Sequence, residues 1–294
     1  MNNFSHDIGI IGGDMRQVYM ADLLTQEGYS VITYCLPSRA RTACHIASSL
    51  NEAVSSSRIL AAPIPLTKNQ VDIPCKQTAD DMTIKALKRI LTKQHLLFAG
   101  CIPNNLTEYF NNHGIYVYDY MQNKELTIYN SIATAEGAIA LAISRSTINL
   151  HKSQCLITGY GACARMLAGY LSGMYADVTV CARDKSARAY SEACGFHAID
   201  FGQLGMNIGN YDYIFNTVPA VVLTKDLLKK IKENAVIIDI ASAPGGLDYA
   251  YAKEAKQNAI FCPGLPGIYA PEDSAKALAA LLKSKIQECE RLCH

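Results

Sequence analysis

Two glycines, Gly159 and Gly161, separate a short apolar run from an apolar-periodic stretch in the segment 155–171. The segment GYGACA matches G-x-G-x-x-G/A, the pattern that leads from a buried strand into a helix in dinucleotide-binding domains. In that pattern the first glycine makes a tight turn, the second lets a pyrophosphate approach the backbone, and Ala164 lets helix and strand pack closely. Free N–H groups at the helix start would face the phosphates. The alternative is a glycine-bearing turn without a ligand. The predicted cofactor-binding residues of this loop are Gly159, Tyr160, Gly161, Ala162, Cys163 and Ala164.

The end of the next predicted strand, in the segment VTVCARD, bears on the choice of dinucleotide. NAD sites place Asp or Glu about 20 residues past the glycines, where it binds the ribose 2′-hydroxyl. Here Cys181 and Ala182 fall at that point, and Arg183 follows. A small residue before an arginine suits a 2′-phosphate, because no acid repels it and the guanidinium offers a planar set of donors. We therefore predict NADP, bound by Arg183 with Asp184 beside it and Arg188 adding charge. Binding of NAD, with Asp184 on the ribose and Arg183 solvated, stays the alternative.

Two later turns also end predicted strands. They are NTVP (216–219) and DIASAPGG (239–246). Ligands of open α/β sheets bind at the carboxyl ends of strands, so both turns are expected near the nicotinamide ribose. The alternative is that both are ordinary Gly/Pro strand exits. The predicted cofactor-binding residues here are Asn216, Thr217, Val218, Pro219 and Ser242.

The predicted substrate-binding and catalytic residues are Arg16, Ser131, Thr134 and Glu136. Arg16 follows the first strand and its two glycines, where it could bind an acid. Ser131 and Thr134 are expected at the N-terminus of a helix beginning near NSIATAEG, where a carboxylate is favoured. Helix capping would equally explain those two residues. Glu136 is a candidate proton acceptor or a first-turn helix charge, and Arg16 could be an ordinary surface residue.

Composition excludes several classes of protein. The 294 residues include 27 Lys+Arg and 26 Asp+Glu, a net charge of +1 that gives no reason to expect nucleic acid or a membrane surface. No secretory leader is visible at the N-terminus, so we expect a cytoplasmic protein. The eleven cysteines are odd in number and scattered, which predicts reduced thiols. No cluster of metal ligands is visible, and no metal is expected.

Apolar runs alternate with helical patterns along the chain, which predicts parallel strands with helical crossovers. We expect an α/β protein with two open doubly wound parallel-sheet domains, the second a Rossmann dinucleotide-binding domain, joined by a long helix. The predicted divisions are a flavodoxin-like substrate domain over 1–130, a linking helix over 131–150, a Rossmann domain over 151–270, and a C-terminal helix over 271–294 that returns to the first domain.

Six segments, in order along nearly the whole chain, resemble the A subunits of dipicolinate synthases, enzymes of sporulating bacteria. They are IGGDMRQVYMADLL (11–24), NSIATAEGA (130–138), CLITGYG (155–161), NTVP (216–219), DIASAPGG (239–246) and PGLPGIYAP (263–271). The resemblance implies an NADP-dependent oxidoreductase that oxidises dihydrodipicolinate, a small dicarboxylate, to dipicolinate during sporulation. It also implies a flavoprotein-like B subunit as partner in a hetero-oligomer, with a homodimer left open.

The layout also resembles the D-2-hydroxyacid dehydrogenases, and this likeness covers fold and cofactor only. Those enzymes use a histidine after the last strands, and residues 263–271 contain none. Two alternatives remain: another NADP-dependent oxidoreductase of this architecture that acts on a small acid, and a non-catalytic nucleotide-binding subunit.

Overall fold

The computed structural model describes residues 4–76 and 79–292. It contains two compact units, each built on one parallel sheet. The first unit comprises the described part of Met1–Thr127 and Ala270–His294, and the second is Ile128–Tyr269. The boundaries between the units therefore fall after residues 127 and 269.

The first unit holds a six-stranded parallel sheet with the spatial order β3-β2-β1-β4-β5-β6. Its strands are β1 His6–Ile11, β2 Val31–Tyr34, β3 His45–Ile46, β4 Ser57–Ala61, β5 Leu96–Ala99 and β6 Tyr116–Asp119. Its helices are α1 Met15–Gln26, α2 Leu50–Ser55, α3 Ile84–Ile90 and α4 Asn104–Asn112. The five longer strands have the flavodoxin-like order, and the short edge strand β3, which was not predicted, extends the sheet to the order of six-stranded Rossmann folds.

A long helix, α5 Lys124–Ser144, spans the boundary between the units. The linking helix was predicted over 131–150, but it begins seven residues earlier and ends six residues earlier. The helix begins earlier because Asn123 caps it: its side-chain oxygen accepts a 2.8 Å hydrogen bond from the N–H of Leu126. By length and composition α5 could cross a membrane, but core helices of other proteins pass the same test. Ala135, Ala138 and Ala142 of α5 are fully buried in the core of the second unit.

The second unit repeats the same topology, with the order β12-β11-β10-β7-β8-β9. All neighbouring strands are parallel, and the reversal of strand order falls between β7 and β10, where Rossmann domains bind their ligands. The strands are β7 Gln154–Thr158, β8 Asp177–Cys181, β9 His197–Ile199, β10 Tyr213–Asn216, β11 Val236–Asp239 and β12 Asn258–Phe261. The helices are α6 Ala162–Gly173, α7 Lys185–Ala193, α8 Phe201–Asn207, α9 Lys225–Leu228, α10 Tyr249–Glu254 and α11 Leu265–Tyr269.

Both sheets are covered on their two faces, so their strands read as continuous apolar runs. In the second unit one core contains Ile157, Phe215 and Ile238, and the other contains Leu156, Ile214 and Ile237. The alternation along β7, β10 and β11 sends successive side chains to opposite faces. The predicted fold class, two doubly wound α/β sheets of which the second is a Rossmann fold, is confirmed.

The last helix, α12 Pro271–Leu292, belongs to the first unit. It packs on α1 through Ala275, Leu278, Ala279 and Leu282, all of them buried. An ion pair between Lys283 and Glu27, 2.6 Å long, lies beside this contact. The helix is therefore an integral part of the hydrophobic core of the first unit.

Candidate functional site

The glycine loop lies where β7 ends and α6 begins. Gly159 has φ of +88°, a left-handed conformation that favours glycine. A β-carbon there would also collide with the hydroxyl oxygen of Thr217. Ala164 is fully buried against the sheet. The loop is thus built as the sequence pattern predicts, with Gly159 required by backbone geometry and Ala164 by packing.

Gly161 differs from Gly159 in a way that bears on a ligand. Its φ is −78°, which any residue adopts, and a β-carbon on it would meet nothing within 4 Å. Gly161 is the N-cap of α6, and among the described residues no side chain caps this helix start. Uncapped N–H groups over open space are the arrangement that holds a phosphate, so the loop fits the pyrophosphate of a dinucleotide.

The turn after β10 is fastened to the strand that leads into the glycine loop. Thr217 donates two hydrogen bonds to the carbonyl of Thr158, one from its backbone N–H at 3.1 Å and one from its hydroxyl at 2.7 Å. The buried hydroxyl of Thr158 in turn donates to the side-chain oxygen of Asn216 at 2.5 Å. Hydrogen bonds among these three residues therefore hold the turns after β7 and β10 together.

The turn after β11 joins the same network through Asp239, which is fully buried. One carboxylate oxygen accepts hydrogen bonds from the side-chain amide of Asn216 at 2.7 Å and from the N–H of Ala241 at 3.0 Å. The other accepts from the N–H of Gly246 at 2.6 Å and from the hydroxyl of Tyr249. Among the described residues no cation pairs with this carboxylate. Four donors satisfy it instead, as a buried charge requires.

The predicted 2′-phosphate site lies at the end of β8. Cys181 and Ala182 are buried, and Arg183 is exposed. The carboxylate of Asp184 caps α7, where it accepts hydrogen bonds from two backbone N–H groups. Arg188 donates from one nitrogen to the carbonyls of residues 182 and 183, at 2.7 and 2.9 Å, and so supports the loop. Asp184 therefore has a structural role that accounts for it, whereas Arg183 is exposed at the loop.

An arginine that the sequence did not single out lies beside the glycine loop. Arg165, on the first turn of α6, donates from its Nε to the carbonyl of Tyr160 at 3.1 Å. Its guanidinium also lies 5.2 Å from the ring centre of Tyr160 and 4.8 Å from that of Tyr190 on α7. These cation–π contacts fasten the loop to both helices.

The candidate residues on α5 are not at a helix N-terminus, so the expected attraction of a carboxylate to that end is wrong for them. The hydroxyls of Ser131 and Thr134 donate to backbone carbonyls of the preceding turn, at 2.6 and 2.7 Å. Thr134 also hydrogen-bonds to Cys163 on the first turn of α6, which brings it next to the glycine loop. Glu136 is exposed on the same helix.

Arg16 lies in the first unit, at the carboxyl end of its sheet. Its guanidinium donates bidentate hydrogen bonds to the carboxylate of Asp14, from Nε at 2.9 Å and from Nη2 at 2.8 Å. Nη2 also donates to the carbonyl of Ile64, just after β4, at 2.9 Å. Arg16 is only 5% exposed, so it is not an ordinary surface arginine, which was the alternative interpretation. It bridges the ends of β1 and β4, where the strand order of this sheet reverses.

The neighbouring strand ends of the first unit are fixed by Asp119, which the sequence analysis missed. Its carboxylate accepts hydrogen bonds from the backbone N–H groups of Cys101 at 3.0 Å, Ile102 at 2.8 Å and Met121 at 2.8 Å. Cys101 has φ of +50°, an uncommon conformation for a residue other than glycine. This contact holds the strained turn after β5 in place.

Sequence reasoning also missed Asp239 as a network centre, together with Tyr249. The signal was present, because an acid that directly follows four apolar residues at the end of a strand is buried and must find donors.

Metal-ligand clusters are absent from the described part of the chain. The cysteines within it carry free thiols, whereas Cys293 lies outside it. Burial raises the pKa of Cys155, Cys181 and Cys262 to about 12, so these thiols stay neutral.

Known proteins resemble this chain along almost its full length. Residues 7–121 match the family model described as the N-terminal domain of the dipicolinate synthase A subunit. Over 291 residues the chain is 26% identical to the A subunit of dipicolinate synthase from Bacillus subtilis (strain 168), and the match covers 96% of each chain.

Solved structures resemble it as well. The A subunit of dipicolinate synthase from Bacillus halodurans superposes with a TM-score of 0.83 at 24% identity, covering 96% of this chain and 98% of that one. An L-alanine dehydrogenase superposes with a TM-score of 0.65 at 14% identity, covering 97% and 90%. These structural matches establish the fold. Taken with the sequence match over both units, they show that the chain resembles the A subunits of dipicolinate synthases.

Proposed function

We propose that this chain is an NADP-dependent oxidoreductase, the A subunit of a dipicolinate synthase, which oxidises dihydrodipicolinate to dipicolinate. The observation that carries the proposal is the uncapped start of α6 beside Gly161, in a chain similar to a known dipicolinate synthase A subunit over 96% of its length. Its fold is shared with an L-alanine dehydrogenase, which favours a nicotinamide cofactor.

In this proposal the second unit holds the dinucleotide. The N–H groups at the start of α6 bind the pyrophosphate, and Arg183 binds the 2′-phosphate. Asp184 and Arg188 shape the loop that carries Arg183. The turns 217–219 and 240–246 bind the nicotinamide ribose. When bound, NADP accepts a hydride.

The substrate is a dihydropyridine dicarboxylate, whose oxidation gives an aromatic ring and so supplies its own driving force. The protein then needs to orient the ring and neutralise two carboxylates. Arg16 is the cation we assign to one carboxylate, because Asp14 and the Ile64 carbonyl hold its guanidinium rigidly at a strand edge. Glu136, which is exposed on α5, is the candidate for the proton.

We further propose that the chain works with a flavoprotein-like B subunit in the cytoplasm of a sporulating cell. Two other functions are compatible with the same fold. The chain could oxidise a different small acid with NADP, or it could bind the nucleotide while its partner carries out the chemistry.

One absorbance assay separates these functions. NADP and freshly generated dihydrodipicolinate are mixed with the chain, with and without the B subunit, and reduced nicotinamide is followed. We expect reduction that depends on the substrate and on the 2′-phosphate. Turnover of simple hydroxy acids alone would favour the second function, and nucleotide binding without turnover in either arm would favour the third.

A further inference from the structure

We infer that Asp239 and Tyr249 are positioning residues that set the two turns, 217–219 and 240–246, which receive the nicotinamide ribose. This inference rests on the proposed function and adds a specific role for Asp239, which is fully buried, and for Tyr249, which donates a hydrogen bond to it. It begins from the register of three adjacent strands. Thr158, Asn216 and Asp239 lie side by side as the last residues of β7, β10 and β11.

The side chains of these three residues form one continuous chain of hydrogen bonds across the sheet edge. The Thr158 hydroxyl donates to Asn216, and the Asn216 amide donates to Asp239. All three residues are fully buried, so each of these hydrogen bonds is protected from competition by water. The order of bonds also fixes the orientation of the Asn216 amide, since its oxygen must accept and its nitrogen must donate.

Asp239 holds the turn 240–246 at both of its ends. One carboxylate oxygen accepts from Ala241 at the beginning of the turn, and the other accepts from Gly246 at its end. Between them, Ser242 and the two residues after it are exposed. The turn therefore has a fixed base and an exposed tip at the ligand-binding edge of the sheet.

The same contacts hold the neighbouring turn against it. Asn216 donates to the carbonyl of Val218 at 2.9 Å, and the carbonyl of Gly246 accepts from the N–H groups of Val222 and Leu223 at 3.0 and 2.9 Å. A β-carbon on Gly246 would lie only 2.8 Å from the Val218 carbonyl oxygen, so the two turns are in direct contact. A change in the Asp239 contacts is thus transmitted to both turns.

Tyr249 completes the arrangement from the first turn of α10. Its hydroxyl donates to the carboxylate oxygen that also accepts from Gly246. Burial and the bond to Asp239 raise the pKa of Tyr249, so the phenol stays protonated and keeps donating. Without this hydroxyl, the buried carboxylate loses one of its four donors.

Fragments of the cofactor provide the test. Adenosine 2′,5′-bisphosphate contains the adenosine half of NADP and lacks the nicotinamide ribose. We expect Tyr249→Phe to weaken NADP binding about tenfold, because the turns 217–219 and 240–246 are then no longer held in one position, while the affinity for the fragment stays within about twofold. Asp239→Asn tests the same point with the shape of the side chain retained. Titration calorimetry measures both ligands, and thermal melting shows that the variants are folded.

The matched control is Tyr213→Phe, on the same sheet. The hydroxyl of Tyr213 donates to Ser146 and to the carbonyl of Ile148 at the opposite end of the strands, so its loss should change the affinity for neither ligand. Equal loss of NADP and fragment affinity in Tyr249→Phe, or unchanged NADP affinity in both test variants, would overturn the inference alone. Failure of the unaltered protein to bind either ligand would overturn the proposed function together with it.

Discussion

The hydroxyl oxygen of Thr217 lies too close to Gly159 for a β-carbon there, whereas Gly161, two residues later, faces open space. The two glycines of one loop therefore serve different purposes. Gly159 is required by the protein itself, and Gly161 is required only if something binds over the start of α6. Substitutions at the two positions should have opposite signatures.

At Gly161, substitution by valine is expected to abolish dinucleotide binding while the melting temperature stays near that of the unaltered protein. The branched side chain would fill the space assigned to the pyrophosphate, and the backbone conformation tolerates it. Calorimetric titration with NADP measures the loss. Gly169→Ala, on the exposed side of the same helix, is the control and should bind normally. A folded Gly161→Val protein with intact affinity would show that the loop is purely structural.

At Gly159, substitution by alanine should lower the stability by about 1–2 kcal/mol or more, before any ligand is added. A left-handed conformation costs about that much for a residue with a β-carbon, and the collision with Thr217 adds to it. Chemical denaturation without cofactor measures the change. A variant as stable as the unaltered protein would mean that the turn relaxes freely.

Arg183→Ala should weaken NADP binding by about 1.5–3 kcal/mol, the range of a charge-assisted hydrogen bond, and leave NAD nearly unchanged. The reason is that Arg183 is exposed beside two small buried residues, Cys181 and Ala182. Titration with both cofactors gives the two affinities. Arg89→Ala, an exposed arginine on α3, controls for the loss of one positive charge. Equal losses for the two cofactors would refute a 2′-phosphate contact.

For Arg16→Ala, dihydrodipicolinate turnover is expected to fall about 10- to 100-fold, with NADP affinity unchanged. Stability should fall too, because Asp14 and the Ile64 carbonyl lose a buried partner. Gln17→Leu removes the other partner of Asp14 in the same helix cap and serves as the structural control. Turnover, with the B subunit supplied, and melting temperature are measured on both variants. If both lose turnover equally, Arg16 acts through folding alone.

Glu52 should make the folded state sensitive to acid. Hydrogen bonds from the Ser48 hydroxyl and N–H, and from His45, lower the pKa of this carboxylate to about 2. Because the folded pKa lies below the unfolded one, near 4.5, the stabilisation is present above about pH 4.5 and is lost as pH falls toward 2. The melting-temperature difference between the unaltered protein and Glu52→Gln should therefore shrink over that interval. Glu108→Gln, on α4, is the control, and a constant difference for Glu52→Gln would contradict the assignment.

Strong apolar runs between Gly and Pro predicted most of the strands correctly. Two short strands were missed. β9 has three residues, none of them buried. β3 was missed because His45 and Ile46 are two exposed residues without an apolar run, paired with β2. Without β3, the first sheet has the five-stranded flavodoxin-like order. With β3 at its edge, the sheet has the order of six-stranded Rossmann folds. Strand pairing at a sheet edge depends on contacts distant in sequence, which local patterns do not record.

The site residues also divide into those that a local sequence pattern predicts and those that depend on contacts formed by the fold. The glycine loop could be predicted because Gly159, Gly161 and Ala164 form a local pattern between a strand and a helix. The start of α5 could not, because Ser131 and Thr134 have the same residue types as helix caps while their hydroxyls bond within the helix. Asp239 and Tyr249 meet only after the sheet has formed, so their relationship is a product of the fold.

The packing of α12 on α1 has a consequence for biosynthesis. On the ribosome, α1 is translated before residues 128–269, whereas α12, which shares a core with Met20, Ala21 and Leu24, is translated only after them. At roughly 5–20 residues per second, the apolar face of α1 stays uncovered for about 12–50 seconds. The second unit is continuous in sequence and has all its strands available before then. Nascent chains should therefore acquire the protease resistance of the second unit first, and the first unit should be a client of chaperones until α12 has been translated.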